Sequence, residues 1–362
     1  MSALRVVFFG AWDPDYPRNR ILRAGLAAAG IVVTEARVRE RRAVWRFPEL
    51  AVRHARAVHE ADIVFVPEFR HKDVPIARVL AGRKPVVFDP LVSRWDTLVR
   101  DWGLHAERSG QARWNRGLDR LAFRNADLVL CDTWEHGALF ERLGALRARL
   151  HRTLVGAERV FFDVGPPEQE GPVTILYVGG FLPLHGVRHV IEAAALMERA
   201  SDLPNFRFQL IGRGIDFDTV REQVASLELT RVTLEGPHPY SEAPRAFERA
   251  HIVLGAFGTT DKAGRVIPHK VYQGVAAGRA VVTGDSPAVR EVFSPRIHLW
   301  TVPHGDSDAL AEALTRLVRD PALRSQLGER GRARALEVAT PERIGLDLAA
   351  ALGALCPRRS GR

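Results

Sequence analysis

Leu254–Asp285 reads LGAFGTTDKAGRVIPHKVYQGVAAGRAVVTGD. An apolar strand, Ile252–Leu254, leads into a loop of Gly, Thr, Lys and Arg; a helix then opens near Pro268, closes at Gly278 and feeds a second strand, Ala280–Thr283. This arrangement makes a phosphate seat. Glycine lets backbone approach a ligand closely, and the first turn of a helix offers unpaired N–H groups with partial positive charge. Lys270 falls in that first turn and Gln273 one turn further on. Of the 52 basic residues only Lys72, Lys84, Lys262 and Lys270 are lysines, so two of them in one loop and helix suggest that an ammonium is wanted there.

Working outward, the chain has 362 residues, which points to two domains each able to bury its own core. Charged residues make up 26% and the aliphatic and aromatic content is that of a globular protein, which excludes collagen, coiled coil and wholesale disorder. No apolar run reaches the roughly 20 residues of a membrane span. The opening MSALRVVFFG reads as a strand, with no small-residue cleavage site after it. Two cysteines, Cys131 and Cys356, give neither a disulfide framework nor a metal cluster. A cytoplasmic protein is expected. The net charge of +9 sits mostly before residue 166, which suits an anionic membrane surface or a phosphorylated ligand. Dispersed arginines and no recognisable binding module argue against nucleic acid.

Short Val/Ile/Phe runs alternate with amphipathic stretches along both halves. In the first, strands are expected at Arg5–Phe9, Val32–Ala36, Ile63–Pro67, Val86–Asp89 and Leu128–Asp132, with helices at 18–30, 47–61, 74–82, 111–125 and 135–143. Val164-Gly-Pro-Pro-Glu-Gln-Glu-Gly-Pro172 reads as the linker. The alternation restarts with strands at Thr174–Val178, Arg207–Ile211, Val232–Glu235, Ile252–Leu254, Ala280–Thr283 and His298–Val302, and a last helix at Pro341–Leu355 precedes a basic tail. Continuous apolar strands separated by helices mean parallel sheets covered on both faces. The expected fold class is therefore α/β: two doubly wound, Rossmann-like domains facing a cleft. The domains would be 1–165, 166–340 and a C-terminal helix and tail, 341–362, packing back on the first.

The second half resembles the donor-binding domain of GT-B glycosyltransferases, in particular glycosyltransferase family 4. The resemblance is sharpest between Tyr177 and Val292. Where members have a strand ending Val-Gly-Arg, a loop ending Lys-Gly and a Leu-Ile-Glu-Ala helix, this chain has Tyr177-Val-Gly-Gly180, then His185-Gly186, then Val190-Ile-Glu192-Ala. The family's Arg becomes Gly180 and its Lys becomes His185. Setting Gln273 at the second position of the family's two-glutamate motif puts Arg265 at the first, Gly278 at the glycine that follows and Ala280-Val-Val in the next strand. The resemblance is to a divergent branch with Lys and Gln one turn apart. Cations lost at Gly180 and His185 reappear at Arg265 and Lys270, which compensates the donor diphosphate's charge. Gln273 takes the ribose, since an amide both accepts from and donates to hydroxyls. By matching, Arg213 in Gly212-Arg213-Gly214 is a further phosphate contact, and Gly236, His238 and Tyr240 line the nucleobase.

Taken together, the resemblance implies a retaining glycosyltransferase that moves a sugar from a nucleotide-diphosphate sugar to a glycan or lipid-linked acceptor. Neither cofactor nor metal is expected: Asp13-Pro-Asp15 has the spacing of a metal motif but belongs to a first-domain loop. In that domain His105 and Asp89 are the catalytic candidates, with His71 beside them. Asp13, Arg18 and Arg20, on a helix opening at Pro17, face the acceptor, with Ser93 and Asp96 after the fourth strand. The Arg37–Phe47 stretch mixes Arg with Trp45 and Phe47, as interfacial segments do, so a peripheral contact with anionic lipid at the inner face of the membrane is expected. The rival reading is a non-catalytic GT-B binding or scaffold protein, because Arg265 and Gln273 replace two acids. A dinucleotide oxidoreductase is disfavoured, since no strand leads into Gly-x-Gly-x-x-Gly.

Overall fold

The computed structural model describes residues 3–39, 42–167, 170–200 and 202–356. Residues 357–362 of the basic tail, 40–41 of the Arg/Trp stretch and 168–169 of the Pro/Gly-rich segment lie outside the described residues. Two compact units form: Met1–Leu154 with Thr340–Arg362, and Val155–Ala339.

The first unit holds one parallel sheet of β1 (Arg5–Gly10), β2 (Val32–Arg37), β3 (Ile63–Val66), β4 (Val86–Phe88), β5 (Leu128–Cys131) and β6 (Leu150–Arg152), in the order β2-β1-β3-β4-β5-β6. Every residue of β3, β4 and β5 is buried, as a sheet with helices on both faces requires. The sheet has one apolar cluster on each side. One is built on Val7, Phe9, Val64, Phe88 and Phe140, the other on Val6, Phe8, Phe65 and Leu130. Strand order reverses between β1 and β3, the switch point where ligands of such sheets bind.

The second unit carries β7 (Val173–Val178), β8 (Phe206–Ile211), β9 (Val232–Glu235), β10 (Ile252–Leu254), β11 (Ala280–Gly284) and β12 (Trp300–Val302), ordered β12-β11-β10-β7-β8-β9 and parallel throughout. Ile252 pairs with Ile175 and with Ala280, so the strand entering the Leu254–Asp285 segment is central, next to the switch point between β7 and β10.

Three expectations change. The stretch 47–61 is two helices, Ala43–Arg53 and Ala55–Glu60, broken at His54, whose φ is −115°. β6 is an additional edge strand. The passage between units falls at residue 154, ahead of the proline-rich segment, because the residues in between already pack on the second unit. Ala157 N–H donates to the Ala339 carbonyl at 3.0 Å. The Phe161 ring meets Phe247 edge-on at 5.1 Å, and Arg279 and Arg332 donate to the Gly165 and Phe162 carbonyls. The returning helix Pro341–Leu355 starts at Thr340, whose Oγ1 accepts from Arg343 N–H, and lies on the helix Pro17–Ala28. Gly25 and Gly345 meet there so closely that a Cβ on Gly345 would stand 2.1 Å from the Gly25 backbone.

Candidate functional site

In the second unit, the carboxyl ends of β7, β8 and β9 and the helix His269–Ala276 enclose a cavity of about 290 Å³. Val178, Gly179 and Gly180 form its floor, Gly212 and Arg213 one wall, and Pro237 through Tyr240 another; Gln273 closes it from the helix, with Glu242 at the rim. The floor and wall touch through backbone. Gly212 has φ +144°, and a Cβ on it would fall 1.9 Å from the Gly179 carbonyl oxygen, so only glycine permits this approach.

Lys270 lies beneath that floor. Its side chain is buried, Nζ is 3.7 Å from the centre of the Tyr177 ring, and the ammonium has no hydrogen-bond partner among the described residues. A Cβ on Gly179 would stand 3.1 Å from Lys270 Nζ, so the missing side chain is what leaves the ammonium against the main chain at the end of β7. Burial alone pushes the Lys270 ammonium well below its ordinary pKa.

His185 is buried beside it. Its Nδ1 lies against the Gly180 carbonyl and 3.1 Å from the Tyr177 hydroxyl. Burial, then the nearby charges of Lys270 and Lys262, push its pKa well down, so the ring is neutral near pH 7. Gly186 follows in the left-handed region, φ +58°, and a Cβ there would meet Gly258 N at 2.4 Å. Phe257 N–H donates to the His185 carbonyl and Gly258 N–H to that of Leu184, so the loops after β7 and β10 are knitted together.

Gln273 Nε2 donates to the Tyr240 hydroxyl at 2.9 Å; the amide oxygen is the group's acceptor and Nε2 keeps a second N–H. His238 Nε2 stands 3.1 Å from Glu235, and Arg213 stacks 4.3 Å over Phe217; both line the cavity. Gly236 is exposed and outside the lining, and Arg265 faces Asp261 at 3.9 Å in the loop before the helix.

The first unit overturns several expectations. Arg18 is fully buried. It clamps Asp89 through two bonds, Nε to Oδ2 at 2.8 Å and Nη2 to Oδ1 at 3.2 Å, and Nη1 donates to the carbonyls of Thr153 and Leu154. Arg18 is thus engaged inside the first unit, and each Asp89 oxygen accepts one bond from it. Ser93 Oγ donates to Asp119 at 2.6 Å and accepts from Asp96 N–H, and Asp96 is buried. His71 is buried edge-on to Phe88 and 3.3 Å from Asp119; burial, then Arg94, push its pKa down to about 3, so it is a neutral core ring. Asp13 folds its carboxylate onto Asp15 N–H and its carbonyl onto Asn19, closing the turn ahead of the helix. Arg20 is exposed and His105 half-buried in the loop before the helix Gly110–Asn125. In the Arg/Trp stretch, Arg46 is buried on Asp73 at 2.7 Å while Trp45 is exposed.

Sequence reasoning quoted Tyr177 and Gly179 within a motif without giving either a role, and missed Glu242 at the cavity rim. An aromatic in a strand reads as core, and a lone acid after a strand carries no local signal. Only the topology brings Tyr177 under Lys270.

Residues 161–334 match the family model described as glycosyl transferases group 1. The chain is 26% identical over 198 residues to the amylovoran biosynthesis glycosyltransferase AmsK of Erwinia amylovora, covering 54% of this chain and 48% of that one. It is 27% identical over 214 residues to the lipopolysaccharide core biosynthesis glycosyltransferase LpsE of Rhizobium meliloti (strain 1021), covering 58% and 59%. The matches thus span about half the length of these relatives. Over 97% of its length the fold superposes on all of Anabaena Alr3699/HepE, solved with UDP and glucose, with a TM-score of 0.74 at 15% identity.

Proposed function

Because residues 161–334 match the model of the glycosyl transferases group 1 family, on a chain folded as a GT-B protein, we propose a glycosyltransferase that moves a sugar from a nucleotide-diphosphate sugar to a glycan or lipid-linked acceptor. The observation that carries this reading is Lys270, a buried ammonium with no hydrogen-bond partner among the described residues, beneath the cavity floor made by Gly179 and Gly180. UDP, present in the HepE structure, is the first nucleotide to try.

In this reading the base lies against Pro237, His238 and Tyr240, and Gln273 Oε1 accepts from a ribose hydroxyl. The diphosphate meets Lys270, the first-turn N–H groups of the helix His269–Ala276, and Arg213 and Arg265. As the bond between the anomeric carbon and the β-phosphate oxygen breaks, its electron pair passes to that oxygen. Fixed positive groups that meet the growing charge lower the barrier. The acceptor oxygen bonds to the anomeric carbon, and its proton goes to the departing phosphate on the same face, which gives retention. The charge work falls to Lys270 and backbone rather than to a metal. Asp13, Arg20 and His105 are the acceptor-side candidates left once Arg18 and Asp89 are paired. Exposed Trp45 is the anchor of a peripheral contact with anionic lipid at the cytoplasmic face, checked by comparing co-sedimentation with anionic and neutral liposomes.

The replacement of both family acids by Arg265 and Gln273 favours a second reading, a non-catalytic binding subunit. One experiment addresses both. Calorimetry with UDP, ADP and GDP, followed by donor hydrolysis with and without EDTA, is expected to show one nucleoside diphosphate bound and slow, EDTA-insensitive turnover. Lys270→Met is expected to weaken that binding about 100-fold, as for a buried charge pair losing one partner. No binding of any of the three removes the reading; binding without turnover leaves the subunit.

A further inference from the structure

Tyr177 closes β7 from inside the core and is fully buried, yet its two ends contact two residues of the donor seat. Its ring face lies under Lys270, with Nζ 3.7 Å from the ring centre. Its hydroxyl donates to the Gly180 carbonyl and lies 3.1 Å from His185 Nδ1, which contacts the same carbonyl. We propose that Tyr177 is the positioning residue of this seat, holding Lys270 against the main chain at the end of β7 with no counter-charge, so that an incoming diphosphate supplies it, and fixing His185 as a hydrogen-bond acceptor for a hydroxyl of the transferred sugar. The proposal rests on the donor reading above.

Two arguments support it. A carboxylate under Lys270 would neutralise the ammonium and compete with phosphate. An aromatic face attracts the cation while leaving its net charge and its N–H donors for an incoming anion. The second argument is a proton count. The Gly180 carbonyl can only accept, and the Tyr177 hydroxyl gives its own proton to that carbonyl, so both turn lone pairs toward His185 Nδ1 and together favour the proton there. The lone pair is then on Nε2. A neutral imidazole with Nε2 bare accepts from a hydroxyl and offers nothing to a phosphate, which moves His185 from the diphosphate to the sugar. Burial and the charges of Lys262 and Lys270 keep it neutral.

Inorganic pyrophosphate isolates the diphosphate seat from base and sugar. Titrated calorimetrically into the full chain, it is expected to bind Tyr177→Phe within about threefold of the wild type, since the ring face survives. Tyr177→Leu is expected to bind it at least about tenfold more weakly. In Tyr177→Leu, Lys270→Met is expected to cost less than it does in the wild type, because the ring acts through Lys270. Nitrogen NMR is expected to show His185 as a single Nδ1–H tautomer in the wild type and a mixture in Tyr177→Phe. Wild-type affinity in Tyr177→Leu, or independent multiplicative effects of Tyr177→Leu and Lys270→Met, would overturn the inference while leaving the donor reading standing. If the wild type binds neither pyrophosphate nor UDP, both fall. Should Tyr177→Leu fail to fold, an unchanged His185 signal in Tyr177→Phe decides against the inference.

Discussion

Burial without a matching counter-charge disfavours the ionised form, and it acts in opposite directions on Lys270 and Glu68. Lys270 is driven down by burial alone. Glu68, 1% exposed just after β3, is driven up to about 8 by burial first and by the Asp89 carboxylate second, against a hydrogen bond from Asn19. Each lies beyond the carboxyl end of a strand beside its unit's switch point, β7 for the lysine and β3 for the glutamate. For Glu68 the sign follows from proton binding. Its folded pKa lies above its unfolded value of 4.5, so between about 4.5 and 8 the folded chain binds more protons than the unfolded one. The contribution is full below 4.5 and lost as pH rises through 8, a change of about 3 to 5 kcal/mol. Thermal unfolding at pH 5, 7 and 9 is expected to show the wild type losing stability across this range. Glu68→Gln, which cannot ionise, is expected to flatten the loss. Parallel pH curves for the two proteins would show that Glu68 ionises freely in the fold.

Between elements, the Arg18–Asp89 clamp does what no single strand or helix does. It fastens the first turn of the helix Pro17–Ala28 to the end of β4 and, through the Thr153 and Leu154 carbonyls, to the point where the chain leaves the first unit. Removing one partner strands the other charge in the core. Arg18→Leu or Asp89→Asn is therefore expected to cost about 3 to 5 kcal/mol of stability, measured by denaturant unfolding, with UDP affinity at 25 °C unchanged because the donor cavity is built wholly from the second unit. A stable Arg18→Leu protein with weakened acceptor use would restore Arg18 to the acceptor site. The same pair marks how far the sequence could be read. Val/Ile/Phe runs made eleven of the twelve strands legible, the central ones because a strand buried on both faces must be apolar throughout. β6, Leu150-His-Arg152, was not, because a short edge strand needs no such run. The glycine loops that line the second unit's cavity were readable from their spacing, which backbone contact dictates. Arg18 and Asp89 lie 71 residues apart, and nothing local distinguishes a buried clamp from a solvent-facing arginine at a helix start.

Over the whole molecule, chain order and structural unit diverge. The first unit is completed by residues that come last: Ile344, Leu348 and Leu352 join Ile21, Leu22 and Leu26 in one apolar cluster, and Gly25 against Gly345 sets how closely the two helices approach. The second unit is continuous, 155–339, and holds every residue assigned above to the donor. Truncation therefore has opposite consequences at the two ends. Ending the chain at residue 339 uncovers the apolar face of the helix Pro17–Ala28 and is expected to leave an aggregation-prone protein. Gly345→Val in the full chain tests the contact itself. With the Gly25 backbone 2.1 Å from the added Cβ, no rotamer relieves the clash, so the helices must part, and the unfolding midpoint is expected to drop by several degrees. The fragment 155–339 retains β7–β12 and their covering helices. It is expected to fold alone and to bind UDP within about tenfold of the full chain, as read by calorimetry. A folded fragment that binds no UDP, beside a full chain that does, would place part of the nucleotide's recognition in the first unit and remove the assignment of the donor to the second unit alone.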